Sequence, residues 1–238
     1  MLAVKKIFLA ALIALSVLAA YISIRWAIAD ILETQIRYQL SKAQTAGHRL
    51  DAREWRLTQD MLQKTLELHP DYSAYLELAV FFYQVAAGRP QALLDELGWH
   101  DSRQQALKYA RSALLKRPTW PDLWDDLFQS KIRLKQFDNE LTGAMERAVT
   151  LGAWEEQVQY DIAFDGLDEW DNLPAAAQQT VLKAMEQTLS MQKDPKSLYK
   201  EMQEYASIGK LCQQVSPAPD NVLSLLTQYC RQQNSEMH

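Results

Sequence analysis

The stretch ALKYARSALLKRPTWPDLWDDL, residues 106–127, decides the architecture of this chain. Ala106, Ala113, Leu114, Pro118, Trp124 and Leu127 recur at three- and four-residue multiples on either side of a proline. Apolar residues at that period predict helices, and a proline between two such runs ends one and opens the other. Small side chains at 106 and 113 would let paired helices approach closely. Ser102 and Gln105 have capping-box spacing at the start of the first helix, which is expected to reach Arg117; the second runs from Pro121 through Leu134.

The same pattern extends outward in both directions. Upstream, Asp51 and Glu54 open a helix towards His69, Pro70 ends it, and residues 73–87 form the next; residues 88–98 interrupt the chain with Gly88, Pro90 and Gly98. Downstream, Asp138 starts a helix through Leu151, followed after Gly152 by helices over 154–167, 174–192 and 195–208 and a last one from Asp220. Seven glycines and eight prolines in 238 residues leave little turn material for a many-stranded fold. The expectation is an all-α protein.

At the N-terminus lies IFLAALIALSVLAAYISI, residues 7–24, uncharged throughout, with Lys5 and Lys6 before it and Arg25 and Trp26 after it. As a helix it would span roughly 27 Å, close to the hydrocarbon thickness of a bilayer. A cleaved signal peptide would have a shorter apolar run and a cleavage site directly after it. Here the small-x-small triplet at 27–29 lies beyond Arg25 and Trp26, so an uncleaved anchor is expected. Ile7, Leu15, Ile24 and Trp26 mark it. Ile24, Ile28, Ile31, Leu32, Ile36 and Leu40 continue one stripe past the membrane, with no breaker before Gly47. The expected organisation is a transmembrane signal anchor over 1–25, a membrane-proximal helix over 26–50 and a helical-repeat domain over 51–238. The lysine pair adjoining the run favours a cytoplasmic N-terminus and a body outside the inner membrane, in the periplasm.

The helical units resemble tetratricopeptide repeats. Ala106, Ala113, Leu114, Pro118, Trp124 and Leu127 fit the join between consecutive repeats of that family, and Trp120 and Trp154 lie one 34-residue period apart. Leu66, Pro70, Leu76 and Tyr83 match an earlier join, with about 14 residues inserted around 88–99. Phe128 stands where the family usually has glycine, and Gly152 near where proline would fall, so the array is degenerate. The resemblance implies an antiparallel helical-repeat body that displays a surface to other proteins. The layout of basic start, anchor and Pro70 and Pro118 units also resembles VpsP-type accessory proteins of bacterial exopolysaccharide clusters. That resemblance implies polysaccharide assembly machinery among the partners.

Charge excludes one class of function. The chain carries 25 Lys+Arg against 30 Asp+Glu, and Lys5 and Lys6 belong to the anchor. Such an acidic body is a poor ligand for nucleic acid, whose affinity comes largely from neutralised phosphates. Asp161, Asp165, Asp168, Glu169 and Asp171 form the densest acidic cluster, and carboxylates can serve as acid and base or hold calcium. Gly166 is not placed for an EF-hand loop, and a solvated helix end explains the cluster without chemistry. His48, His69 and His100 have no metal-ligand spacing. No phosphate loop or nucleophile motif occurs, so neither cofactor nor metal is expected. Tyr72, Tyr75 and Phe82, with Trp120, Trp124 and Trp154, are candidates for a partner surface; packing between helices is the other use of such residues.

Together these readings predict a non-catalytic, membrane-anchored interaction protein of a bacterial envelope, an accessory factor in exopolysaccharide biosynthesis or export. The alternative is a glycan-acting enzyme using the 161–171 carboxylates. Cys212 and Cys230 are the only cysteines and form a disulfide candidate if the body faces an oxidising space. A plain hairpin turning at 216–219 would leave them roughly 15 Å apart along the helices. A helix ended at Gly209, freeing 210–219 as a returning connection, would let them meet; two unpaired thiols are the other outcome.

Overall fold

A computed structural model describes residues 2–44, 50–192, 196–215 and 223–236. Gly47, His48, Pro195, the 216–219 turn and Asp220 lie outside the described residues. Among those described there are twelve α-helices and no strand. The chain divides into two compact units, Met1–Lys116 and Arg117–His238. This division falls inside the expected 51–238 domain, and the 50/51 boundary does not separate units.

The first unit holds α1 (Leu2–Gln44), α2 (Ala52–Leu68), α3 (Ser73–Ala87), α4 (Gln91–Leu97) and α5 (Ser102–Lys116). α1 is one continuous helix through the apolar run and the stripe beyond it, and that run is long and apolar enough to cross a membrane. Ile7, Leu15 and Ile24 in the run are exposed, whereas Ala29, Ile36 and Leu40 further along are fully buried. The buried part packs along α2 and against α3. Asp51 caps α2 as expected: its carboxylate accepts from the Glu54 amide at 2.8 Å while the Glu54 carboxylate accepts from the Asp51 amide at 2.9 Å. Ser102 does not cap α5. It is the first helical residue, and its hydroxyl donates to the Trp99 carbonyl at 2.8 Å.

α3 lies between α1 and α5, which is why it is apolar all round: Leu78, Ala79, Val80 and Phe82 are fully buried. The alanines at 106, 110 and 113 let α5 lie close along α3. The Ala106–Ala113 face therefore has its place in the α3–α5 pair. The expected interruption at 88–98 contains α4, which ends on Gly98 in the left-handed conformation at φ 70°. That turn, which side chains with a Cβ rarely adopt, swings Trp99 inward. Trp99 meets Trp55 and Phe82 edge to face, at 5.9 and 5.4 Å between centroids, and its indole donates to Gln59 at 3.1 Å.

The second unit holds α6 (Pro121–Arg133), α7 (Asn139–Leu151), α8 (Glu156–Asp168), a 3-10 turn at Trp170–Asn172, α9 (Ala175–Met191), α10 (Lys196–Met202), α11 (Ile208–Val215) and α12 (Ser224–Glu236). α6 pairs with α7, α8 with α9, and α9 also receives α7 and α12. Asp138 caps α7 through the Glu140 and Leu141 amides, both at 3.0 Å. Two glycines mark close approaches. A Cβ at Gly152 would lie 2.8 Å from Pro121 Cβ, and one at Gly166 would overlap Val181 of α9. Gly166 thus sets the α8–α9 distance.

The helix expected over 195–208 is in fact two pieces. α10 stops at Met202, and Gly209 sits inside α11 instead of ending a helix. Residues 210–215 are helical in α11, which packs directly on α12 and brings Cys212 to Cys230; they are bonded, with α-carbons 5.4 Å apart.

Candidate functional site

The residues that border the apolar run are organised as a collar. Arg25, the first charge after residues 7–24, donates from one guanidinium nitrogen to the carbonyls of Glu67 and Leu68, both at 3.0 Å. Those carbonyls end α2, where the helix dipole is negative and acceptors lack intrahelical partners. The bonds hold the end of α2 beside the end of the apolar run. His69, in the turn that follows, is stacked between Trp26 at 5.1 Å and Tyr72 at 5.2 Å. Tyr75 meets Tyr72 edge-on at 4.8 Å, and its hydroxyl donates to Asp30 at 2.5 Å. Burial and the Asp30 carboxylate together push the Tyr75 phenol upward, so it stays a donor. Next to the same turn, Asp71 pairs with Lys116 at the end of α5, which holds its carboxyl below the ordinary range.

The six candidate partner residues are not one surface. Tyr75 and Phe82 are in the core, 1% and 0% exposed, because α3 is flanked on several sides; neither is available to a partner. Tyr72 is 45% exposed and belongs to the collar. In the second unit Trp120 is exposed beneath the Arg117 guanidinium, 3.7 Å from its centroid, and Trp154 is 86% exposed. Trp124 is half-buried; its indole donates to the Pro118 carbonyl at 2.8 Å and Arg147 covers its ring. Gly152 against Pro121 brings the turn that carries Leu151 and Trp154 to the start of α6, where Trp120 lies. Ile7, Leu15 and Ile24 of the apolar run remain exposed, and Trp26 is 48% exposed at its end.

The acidic cluster is dispersed among separate partners. Asp161 accepts from Gln157 at 2.7 Å, Asp165 accepts from Gln129, Glu169 pairs with Lys135, and Asp171 pairs with Lys210 at 2.6 Å. Asp125 on α6, which sequence reasoning missed, faces Asp161 and Asp165 across the α6–α8 contact. Burial, followed by the charges of Asp161, Asp126 and Asp165, raises its carboxyl well above the ordinary range, and its buried Oδ1 has no hydrogen-bond partner. Burial also raises Asp161 and Asp165, the latter opposed by Gln129 and by Arg133. Among the described residues no group of three His, Cys, Asp or Glu could hold a metal ion. A small pocket of about 170 Å³ reaches Gln129, Arg133 and Asp165. A larger groove of about 640 Å³ runs between α1 and α2, lined by Leu32, Tyr38, Leu57 and Met61.

Comparison with protein-family models and with curated proteins finds no match to this chain.

Proposed function

We propose that this chain is a non-catalytic, membrane-anchored interaction protein of a bacterial envelope, serving as an accessory factor in exopolysaccharide biosynthesis or export. The observation that carries the reading is α1. One helix exposes an uncharged apolar run and then, without a break, buries Ala29, Ile36 and Leu40 in the helical body. An exposed apolar run of that length needs lipid around it. Within the units, pairing of α1 with α2, α3 with α5, α6 with α7 and α8 with α9 supports reading the body as a degenerate tetratricopeptide-like array, with α4 as the insertion. Such arrays bind other proteins through extended surfaces. Exposed Trp120, Leu151 and Trp154 offer one contact for an envelope membrane protein of the polysaccharide machinery. The Cys212–Cys230 bond supports a periplasmic body on a single-pass inner-membrane anchor.

Acid–base glycan cleavage needs two free carboxyls facing one bond. Asp161, Asp165, Glu169 and Asp171 are instead engaged by Gln157, Gln129, Lys135 and Lys210 respectively, which lends that alternative no support.

The test is a phosphatase reporter fused after His238 together with in-cell photo-crosslinking from position 154 of the full chain. The expected outcome is an active periplasmic reporter and a crosslink to an integral membrane protein of polysaccharide assembly. A cytoplasmic reporter, or crosslinks from 154 to lipid or soluble proteins only, would refute it.

A further inference from the structure

We propose that the first unit rests on the bilayer surface through the collar of Trp26, His69 and Tyr72, extended by Leu115, with the lipid headgroup layer as its partner. The inference rests on the reading of residues 7–24 as a membrane span. If that run fills the hydrocarbon, Arg25 marks the headgroup level, because a charge does not stay deeper. The Arg25 guanidinium binds the last two carbonyls of α2, so the end of α2 is fixed at that level too. The stack from Trp26 through His69 to Tyr72 follows directly, and Tyr75 braces it from within through Asp30.

Tryptophan and tyrosine are the side chains that bilayer interfaces collect, with an apolar ring body and a polar tip. The ion pair from Asp71 to Lys116 brings the end of α5 to the same turn. Beside Lys116, Leu115 is 84% exposed, and Trp26 and Tyr72 are 48% and 45% exposed. A single exposed leucine would mean little by itself; at the helix end that Lys116 ties to the turn of His69 and Tyr72, it adds to the two exposed rings of the collar. Arg25 and Lys116 are both engaged within the unit. The attraction is therefore interfacial partition of rings and leucine, and a zwitterionic bilayer suffices for it.

Depth measurement on the full chain in phosphatidylcholine nanodiscs tests this, with the Cys212–Cys230 bond left intact. Nitroxide labels are placed one at a time through Leu115→Cys, Tyr72→Cys, Leu57→Cys and Leu15→Cys. Leu57 lies eleven residues before the end of α2, roughly 16 Å further from the bilayer at the helical rise. The expected result is severalfold lower accessibility of the 115 and 72 labels to a water-soluble nickel chelate than of the 57 label, with the 15 label shielded most. A 115 or 72 label as accessible as the 57 label, with the 15 label shielded, overturns the footing and leaves the anchor standing. A water-accessible 15 label overturns both. If Tyr72→Cys loses cooperative unfolding, Pro70→Cys reads the same turn.

Discussion

Gly166→Ala is the sharpest probe of how the second unit is packed. The added methyl would sit about an ångström inside ordinary van der Waals contact with one methyl of Val181, whose Cβ and other methyl already lie 3.6 Å away. Val181 is fully buried and β-branched in a helix, so rotating it trades one overlap for another. The helices must separate instead. Overpacking of this kind costs roughly 1–3 kcal/mol, and replacing a helical glycine returns up to about 1 kcal/mol of propensity. The net loss should be about 1–2 kcal/mol, or a fall of roughly 3–8 °C in Tm by circular dichroism. Val181→Ala removes both methyls and by itself should also destabilise, by about 1–3 kcal/mol. The double variant should be better than the sum of the two by at least about 1 kcal/mol, since each change makes room for the other. A Tm for Gly166→Ala at or above that of the parent, or strict additivity in the double variant, would refute the assignment of Gly166 as the spacer between α8 and α9.

Three further substitutions probe charges in the same unit. Lys131 is fully buried and holds Asp138 at 2.8 Å and Glu140 at 2.7 Å, while both carboxylates keep substantial exposure. Asp138→Ala removes the α7 cap and one partner of a buried cation and should cost about 3 kcal/mol, whereas Lys131→Met returns both carboxylates to water and should cost within about 1 kcal/mol; denaturant titration giving the reverse order would contradict this. Burial and the neighbouring carboxylates raise the Asp125 carboxyl in the folded state above its unfolded value. Its favourable contribution is complete below about pH 4 and is lost as pH rises through the native value. Asp125→Asn should raise Tm at pH 7 and flatten that fall, as read from thermal melts across the range; an unchanged slope would mean that Asp125 is not the group responsible.

What the sequence made legible is local. Asp51 with Glu54, Asp138, Pro70 and Pro118 announce helix ends because capping and proline act within a single turn, and α2, α3, α6 and α7 begin where those residues say. The continuous stripe from Ile24 to Leu40 likewise reads on from the apolar run as one helix, α1. Pairing is not local. The Ala106–Ala113 face fits any close helix, and only the fold shows α3 lying along it with α4 looped out between them. Tyr75 and Phe82 were visible as large and apolar, but whether such a helix is core or surface depends on how many neighbours it receives. The acidic run gave no sign of Asp125, which is 36 residues before Asp161 in the chain. The i, i+4 carboxylates at 161 and 165 did carry a hint, since like charges on one helix face disfavour full ionisation unless a proton or cation joins them.

The collar was illegible for the same reason: Trp26 and His69 are 43 residues apart, and neither residue type alone implies the other. Its consequence is mechanical. An apolar run joined to its body by a loose linker leaves the body free to tumble, whereas α1 carries residues 7–24 into the first unit as one helix. Beyond residue 25, Ala29 is small enough for its neighbours to close around it, and Ile36 and Leu40 are buried, so bending α1 there would expose core. The Arg25 bonds and the Tyr75–Asp30 bond act on opposite sides of Trp26 in the sequence and resist rotation of α1 against α2 and α3. If residues 7–24 lie in a bilayer, reorienting them must also turn α2 and α3, because the bonds on both sides of Trp26 resist any change in angle between α1 and its neighbours.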